Sequence, residues 1–182
     1  KIRTLFEDDK IITFSKPPGL HCHPLSYEDN QNVISYLYSQ KKYELLEINK
    51  ENYDRGLMYR LDFETSGLLI YLKQEKIYLD MRENFHNRVK EKFYYAIVQG
   101  KYEGELVLMD LLKSSGARGA KVVKDHEHRP ESKVSRCDLS VLDYNKDEDL
   151  TLLKVKLYQG HRHQIRAQLK ITGHPIFGDK LY

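Results

Sequence analysis

The sequence has few cysteines and no long apolar run. Among its 182 residues there are two cysteines, Cys22 and Cys137, which lie far apart and form no Cys-x-x-Cys pair. A secreted disulfide scaffold is therefore excluded, one disulfide stays formally possible, and a reducing cytoplasm is the expected location. No apolar stretch approaches the roughly 18 residues of a membrane-spanning helix, and no signal-peptide pattern is present, so we expect no membrane partner.

The chain also lacks a strong excess of charge of one sign. It has 30 lysines and arginines against 27 acidic residues, a net charge of +3. This net charge is far smaller than that of a histone-type nucleic-acid-binding protein, so charge by itself establishes no nucleic-acid partner. Charged residues make up 31% of the chain, and there are 14 tyrosines and 6 phenylalanines. This mixture predicts a globular protein, because disordered segments have few aromatic residues.

Hydrophobic periodicity predicts the order of the elements. Short β-rich or alternating runs predict strands, at 11–15, 66–72, 92–99, 132–144 and 151–157. Helical spacing predicts helices, at 32–45, 75–89 and 162–171. Residues 110–130 hold Ser-Ser-Gly, Arg-Gly and five lysines and arginines, which predicts a long, mobile, basic surface loop. We therefore expect an α+β fold: a mixed, mainly antiparallel β-sheet with flanking helices.

Three His-x-His pairs are the first candidates for chemistry. They are His21/His23, His126/His128 and His161/His163. On a strand, such a pair directs two imidazoles to one face, which is a usable metal geometry. No acidic residue stands at a recognised ligand spacing beside them, and no His-Glu-x-x-His motif occurs. The alternatives at this point are a metallohydrolase, or ordinary turn and surface histidines.

A second candidate is Asp62, in the segment Arg-Leu-Asp-Phe-Glu-Thr-Ser-Gly at 60–67. An aspartate just before a strand is commonly a turn residue or a cap. A catalytic role would require a partner that keeps the carboxylate ionised in a partly dry site, and a guanidinium meets that need. Arg166, near the end of the chain, is the candidate partner.

Further candidates lie on the predicted last helix and on the strand at 92–99. A basic stripe recurs every four residues, at Arg162, Arg166 and Lys170. It is also what a solvated amphipathic helix would show. The polar side chains of His163 and Gln164 at the helix start favour a binding role. Tyr94 lies inside the predicted strand, where a tyrosine either packs in the core or offers a ring for base stacking.

Taken together and in order, these segments resemble the RluA-type pseudouridine synthase family. The resemblance rests on DDKIITFSKPPGLHCHP, MYRLDFETSGLLIYLK, KFYYAIVQG and GHRHQIRAQLKITGHPIFGDKLY, and spans the chain from about Asp8 to Tyr182. The sequence departs from the family pattern at five positions, which are Tyr59, Phe63, Glu64, His161 and Gln168. None of these is one of the three presumed catalytic residues.

The resemblance implies isomerisation of uridine to pseudouridine in structured RNA, without cofactor or metal. It implies that Asp62 acts on the target nucleotide, as nucleophile or as base, that Tyr94 contacts the base, and that Arg166 pairs with the aspartate. Arg60 would enter the RNA stack in place of the extruded nucleotide. Contacts to RNA are expected from Arg60 and from the start of the last helix, at Arg162, His163 and Gln164. The lysines and arginines of 110–130 and 154–170 are expected to bind phosphates.

The expected partner is ribosomal or transfer RNA, with no obligatory protein partner. The resemblance implies a pseudouridine-synthase-like catalytic domain over 1–182, without the small S4-type domain of some relatives. This chain is then either trimmed of their last strands or a minimal member. The alternative function is an RNA-binding or RNA-folding module without catalysis, because base extrusion and phosphate binding can assist folding alone.

Overall fold

The chain folds into two compact units. The computed structural model describes residues 1–26, 28–89 and 91–182, with the side chains of all but His86 and Arg118. The first unit comprises Lys1–Arg88 and the second Val89–Tyr182. Each unit is built around its own antiparallel sheet.

The first unit carries a three-stranded sheet in the order β1-β2-β3. The strands are β1 (Arg3–Glu7), β2 (Ile11–Lys16) and β3 (Gly67–Leu72). The helices are α1 (Val33–Ser39), α2 (Tyr43–Leu46), α3 (Glu75–Glu83) and α4 (Phe85–Arg88). Both strand pairs are antiparallel, with β2 in the middle.

Local sequence accounts for the turns and caps of this unit. The Asp8 carboxylate accepts hydrogen bonds from the backbone N–H groups of Lys10 and Ile11, at 2.8 and 2.7 Å, which closes the turn between β1 and β2. Asn32 caps α1, since its side-chain oxygen accepts a hydrogen bond from the Ser35 N–H at 2.9 Å. The predicted helix over 75–89 is interrupted at Asn84, between α3 and α4.

The second unit carries a five-stranded sheet in the order β4-β8-β7-β5-β6. The strands are β4 (Lys92–Gln99), β5 (Val107–Ser115), β6 (Lys121–Lys124), β7 (Lys133–Asn145) and β8 (Leu150–Leu157). One longer helix, α5 (Gln164–Ile171), follows them. β7 contains an irregularity, a register shift in its pairing with β8 between Val141 and Asp143.

Alternation along β8 builds the core of this unit. Leu153, Val155 and Leu157 are buried, while the lysines between them stay partly exposed. They pack with Leu169 of α5 and with Val98 of β4 in one cluster. Two elements of the predicted site, β4 and α5, are therefore joined through a common core.

The prediction of a loop over 110–130 was wrong. The segment forms most of a β-hairpin, in which Leu112 pairs with Lys124 and Ser115 with Lys121. The two serines, Ser114 and Ser115, still belong to β5, and the turn is made by Gly116 and the short 3₁₀ helix Ala117–Gly119. β5 also pairs with β7 over Val107–Leu112. The glycine marked a turn within the sheet, and the long-range pairing with β7 was not visible in local sequence.

The fold class was predicted correctly: the structure is α+β with antiparallel sheets and few helices. Among the helices of the described residues, none has both the length and the apolar character needed to cross a membrane.

Candidate active site

Asp62 lies in a loop whose backbone is held by a buried lysine. Lys16 ends β2 on the same face as Ile12 and Phe14, and its side chain is fully buried. Its ammonium group donates hydrogen bonds to the carbonyl oxygens of Pro17, Leu20 and Phe63, at 3.0, 2.8 and 3.1 Å. Because an ammonium group has three donors, these carbonyls account for its full capacity.

Burial lowers the pKa of Lys16, against the opposing effect of the carboxylates of Asp62 and Glu64. Sequence reasoning missed this residue, although its inward register on β2 was a readable signal. The lysine ties the residue after Asp62 to the turn that follows β2.

The residue before Asp62 is held as well. The Sγ atom of Cys22 accepts a hydrogen bond from the Leu61 N–H and donates one to the Leu61 carbonyl oxygen, both at 3.4 Å. Burial raises the pKa of the Cys22 thiol, which favours the neutral donor form. On the other side, the Thr65 N–H donates to the Asp62 carbonyl oxygen at 3.1 Å, and the Gly19 N–H to that of Phe63 at 2.9 Å. The backbone around Asp62 is fixed while its side chain stays partly exposed.

Arg60 is exposed and contacts a histidine from the segment after β2. Its Nη1 atom lies 3.0 Å from Nε2 of His23. The carboxylate of Asp54 lies 3.9 Å from the same Nε2 atom. The His21 ring packs against Phe63, with centroids 4.6 Å apart. Both members of the first His-x-His pair therefore line the Asp62 loop.

Tyr94 lies on the inner face of β4. It is partly buried and packs against the core cluster of the second unit, together with Ile165 of α5. Its neighbour Tyr95 points to the other face and is 70% exposed. The structure therefore gives Tyr94 a place at the margin of the core, compatible with both interpretations made from the sequence.

Arg166 forms a two-point ion pair with Asp179. Its Nε and Nη2 atoms donate to the two carboxylate oxygens at 2.7 and 2.9 Å. Burial alone would raise the pKa of Asp179, but hydrogen bonds from Arg166 and from the N–H groups of Leu181 and Tyr182 outweigh it and hold the pKa at about 2. The guanidinium also lies 5.2 Å from the centroid of the Tyr182 ring. Sequence reasoning missed Asp179, whose signal was its place in the Gly-Asp-Lys-Leu-Tyr motif.

The start of α5 is anchored rather than free. His163, with φ +51°, precedes the helix, and its Nδ1 lies 3.1 Å from the Tyr182 hydroxyl. Arg162 is exposed and donates to the carbonyl oxygen of Gly119, in the β5–β6 turn, at 2.7 Å. Gln164 is 2% exposed, and its amide donates to the carbonyl oxygen of Arg136. The RNA contacts predicted for these three residues stay predictions, and Gln164 has a place in the core.

The predicted catalytic residues belong to both units. Asp62 lies in the first, and Tyr94 and Arg166 lie in the second. Within its unit, each is supported by a defined set of partners. The pairing of Asp62 with Arg166 stays a prediction.

The His-x-His pairs do not assemble a metal cluster with other ligands among the described residues. No group of three His, Cys, Asp or Glu side chains there is arranged to hold a metal ion. His126 and His128 are exposed, in the segment between β6 and β7. His161 instead contacts Ser135, with its Nδ1 2.8 Å from the hydroxyl.

Comparison with known proteins identifies the family. A sequence profile described as RNA pseudouridylate synthase matches residues 10–170. An RNA pseudouridine synthase of Aquifex aeolicus is 32% identical over 182 residues, which cover 100% of this chain and 56% of that protein. Ribosomal large subunit pseudouridine synthase D of Borreliella burgdorferi is 27% identical, over 100% of this chain and 54% of the relative. The chain spans about half the length of the curated relatives it matches.

Solved structures share the fold. Human RNA Pseudouridylate Synthase Domain Containing 1 matches with a TM-score of 0.75 at 19% identity, over 98% of this chain and 68% of that one. Human RNA Pseudouridylate Synthase Domain Containing 4 matches with a TM-score of 0.68 at 21% identity, over 97% and 67%. Because the profile covers most of the sequence and the curated relatives align along its whole length, the chain belongs to the RNA pseudouridylate synthase family.

Proposed function

We propose that this protein isomerises uridine to pseudouridine in structured RNA, with Asp62 acting directly on the target nucleotide. The observation that carries the proposal is the loop geometry around Asp62. Backbone groups on both sides of the residue are hydrogen-bonded, through Lys16 and Cys22, while the carboxylate remains partly exposed. Such a fixed support is what a group needs to meet a reacting atom in a defined position.

The proposed reaction is balanced within the nucleotide. The bond between ribose C1′ and uracil N1 breaks, the base turns, and a bond forms between C1′ and C5. The hydrogen on C5 leaves as a proton, and N1 gains one. No electrons are exchanged with a second reactant. Asp62 either attacks C1′ or removes a proton from the ribose, and both roles require the ionised carboxylate.

The roles proposed for the other site residues are those that the resemblance to the family implies. Arg166 keeps Asp62 ionised, and Tyr94 contacts the extruded base. A guanidinium carries five N–H donors, more than the two bonds to Asp179 use. Those two bonds fix the plane of the guanidinium and thereby aim its other donors. Asp179 is on this proposal a positioning residue for Arg166.

RNA binding is proposed to rest on base extrusion and on phosphate contacts. Extruding a stacked uridine costs a few kcal/mol, which Arg60 offsets by taking the vacated place. Arg162, His163 and Gln164 are proposed to lie along the bound RNA. The partner is ribosomal or transfer RNA in the cytoplasm, without an obligatory protein partner. The catalytic domain is proposed to extend over the whole of 1–182.

The test uses release of tritium. RNA labelled with tritium at C5 of uridine is prepared from cells in which the gene is deleted and is incubated with the purified protein. Formation of the C1′–C5 bond releases the label to water. We expect release with the native chain and at least a thousandfold slower release with Asp62→Asn, since loss of an essential group typically removes that much activity. Asp9→Asn, which changes an exposed aspartate of the same unit, is the matched control.

Undiminished release by Asp62→Asn would refute the role of Asp62. Binding of the same RNA by the native chain with no release at all would favour the alternative, an RNA-folding module without catalysis. Mapping of pseudouridines in cellular RNA, with and without the gene, then identifies the target position.

A further inference from the structure

The two ring nitrogens of His23 have different partners, and together they fix the state of the ring. Nδ1 lies 3.0 Å from the Pro24 carbonyl oxygen, which can only accept a hydrogen bond. Nδ1 therefore carries the proton. Nε2 lies 3.0 Å from Nη1 of Arg60, which can only donate. Nε2 is accordingly the unprotonated acceptor, and His23 is a neutral ring that receives a hydrogen bond from the guanidinium.

We propose that His23 is a positioning residue for Arg60, which its Nε2 atom holds beside the Asp62 loop before RNA binds. The inference rests on the proposed function, in which Arg60 takes the place of the extruded nucleotide. Arg60 is exposed, and its guanidinium contacts the His23 ring at the protein surface. Only one residue, Leu61, separates Arg60 from Asp62 in the chain, so the guanidinium is held on the same loop as the proposed reacting group.

The histidine is itself well supported. Its side chain is 21% exposed, and its ring lies nearly parallel to that of Tyr53, with centroids 6.5 Å apart and planes 29° apart. The proton on Nδ1 is held by the backbone of the next residue. To position the Arg60 guanidinium, the accepting Nε2 atom must itself be held in place, because only a fixed partner can restrict a flexible side chain.

The benefit is entropic. Arginine has many rotamers, and confining it when RNA arrives would subtract from the free energy of binding. A guanidinium already held in place avoids much of that loss. Asp54 adds to the local field: its Oδ1 lies 3.9 Å from Nε2, is buried, and has no hydrogen-bond partner among the described residues. Its negative charge favours a guanidinium at this position.

A double-mutant cycle tests the proposal with the tritium-release assay on RNA from the deletion strain. His23→Phe keeps the ring beside Tyr53 and removes the acceptor. We expect it to lower kcat/KM about tenfold, the effect of losing one hydrogen bond to a charged group. In the Arg60→Ala background the same change should alter kcat/KM less than about twofold, because the histidine acts through the arginine. An equal loss in both backgrounds would overturn the proposal.

A conservative variant, His23→Gln, distinguishes a positioning role of His23 from a merely structural one. In His23→Gln the side-chain oxygen can replace Nε2 as acceptor, so most of the lost kcat/KM should return. Failure of this variant to exceed His23→Phe, with both equally folded by circular dichroism, would count against the proposal.

The hydrogen bond can also be measured without activity. In protein with nitrogen-15-labelled histidine, the resonances should show His23 protonated on Nδ1 only, and Arg60→Ala should shift Nε2. A protonated Nε2 or an unmoved resonance overturns the inference, whatever the activity. If the native chain releases no tritium while this signature is present, the proposed function fails and the contact stands.

Discussion

The ammonium group of Lys16 and the carbonyl oxygen of Phe63 form a partly buried hydrogen bond of 3.1 Å, across 47 positions of the chain. This bond connects the end of β2 to the residue that follows Asp62. It makes the shape of the Asp62 loop depend on a strand of the sheet rather than on the loop's own sequence. A lysine in a fully buried position is rare, and here it is fully paired with carbonyls.

Replacement of Lys16 by methionine should destabilise the first unit and slow the reaction. The side chain is similar in length, but three carbonyl oxygens lose their donor, and we expect the free energy of unfolding to fall by about 3 kcal/mol. Urea unfolding followed by circular dichroism measures the change. Lys10→Met, at an exposed position near the same strand, should stay within about 0.5 kcal/mol of the native chain. Equal unfolding midpoints for the two variants would contradict this account.

The Asp179–Arg166 pair should make stability depend on pH in acid. Asp179 has a pKa of about 2 in the folded chain, against an ordinary value of 3.8. A lowered pKa contributes stability above the ordinary value, and that contribution is lost as the pH falls from about 4 to 2. Asp179→Asn should therefore be less stable than the native chain by about 2 kcal/mol at neutral pH. The gap should close below pH 4, and a gap that is constant down to pH 2 would show that another group is responsible.

Both thiols should be unreactive in the folded protein. Burial raises the pKa of Cys137 to about 12, with the negative charges of Asp110 and Asp138 adding to the effect, and burial also raises the pKa of Cys22. Because the thiolate is the reactive form, iodoacetamide at pH 8 should modify neither residue. Mass spectrometry should find both modified after unfolding in urea. Rapid modification of either thiol without urea would be inconsistent with the buried, unpaired cysteines of the structure.

Gln168→Ala should destabilise the second unit. The amide of Gln168 is fully buried and donates to the Asp110 carboxylate and to the Ser135 carbonyl oxygen, both at 3.0 Å, while its oxygen accepts from Gln164 at 3.1 Å. Loss of these bonds should lower the free energy of unfolding by roughly 2–3 kcal/mol. Thermal unfolding measures the effect. Lys170→Ala, on the exposed side of α5, is the control and should change the melting temperature little.

Local sequence predicted the elements whose pattern is dictated by burial on one side. β4 and β8 were predicted with nearly their observed bounds, because alternation and a closing glycine mark such strands. The helix over 162–171 was also found, two residues early at its start. The resemblance located the loop that contains Asp62.

What local sequence could not provide are the contacts made over long distances in the chain. The short strand β6 has only four residues and is held by β5 and by the Tyr182 hydroxyl, which accepts a hydrogen bond from the Val122 N–H. The pairing of Arg166 with Asp179 spans 13 positions and a turn. The roles of Lys16 and Gln168 require knowledge of what surrounds a buried polar group, and periodicity carries none of it.

The division into two units determines which part of the protein a destabilising core substitution affects. Each unit has its own cluster of buried apolar side chains, with Met58 and Tyr78 in the first and Leu153 and Leu169 in the second. A cavity opened in one cluster loosens its own neighbours first, because contacts within a cluster are where packing losses are felt. Core substitutions should therefore form two classes. Those in the first unit should weaken the support of Asp62, and those in the second unit should weaken the support of Tyr94 and Arg166.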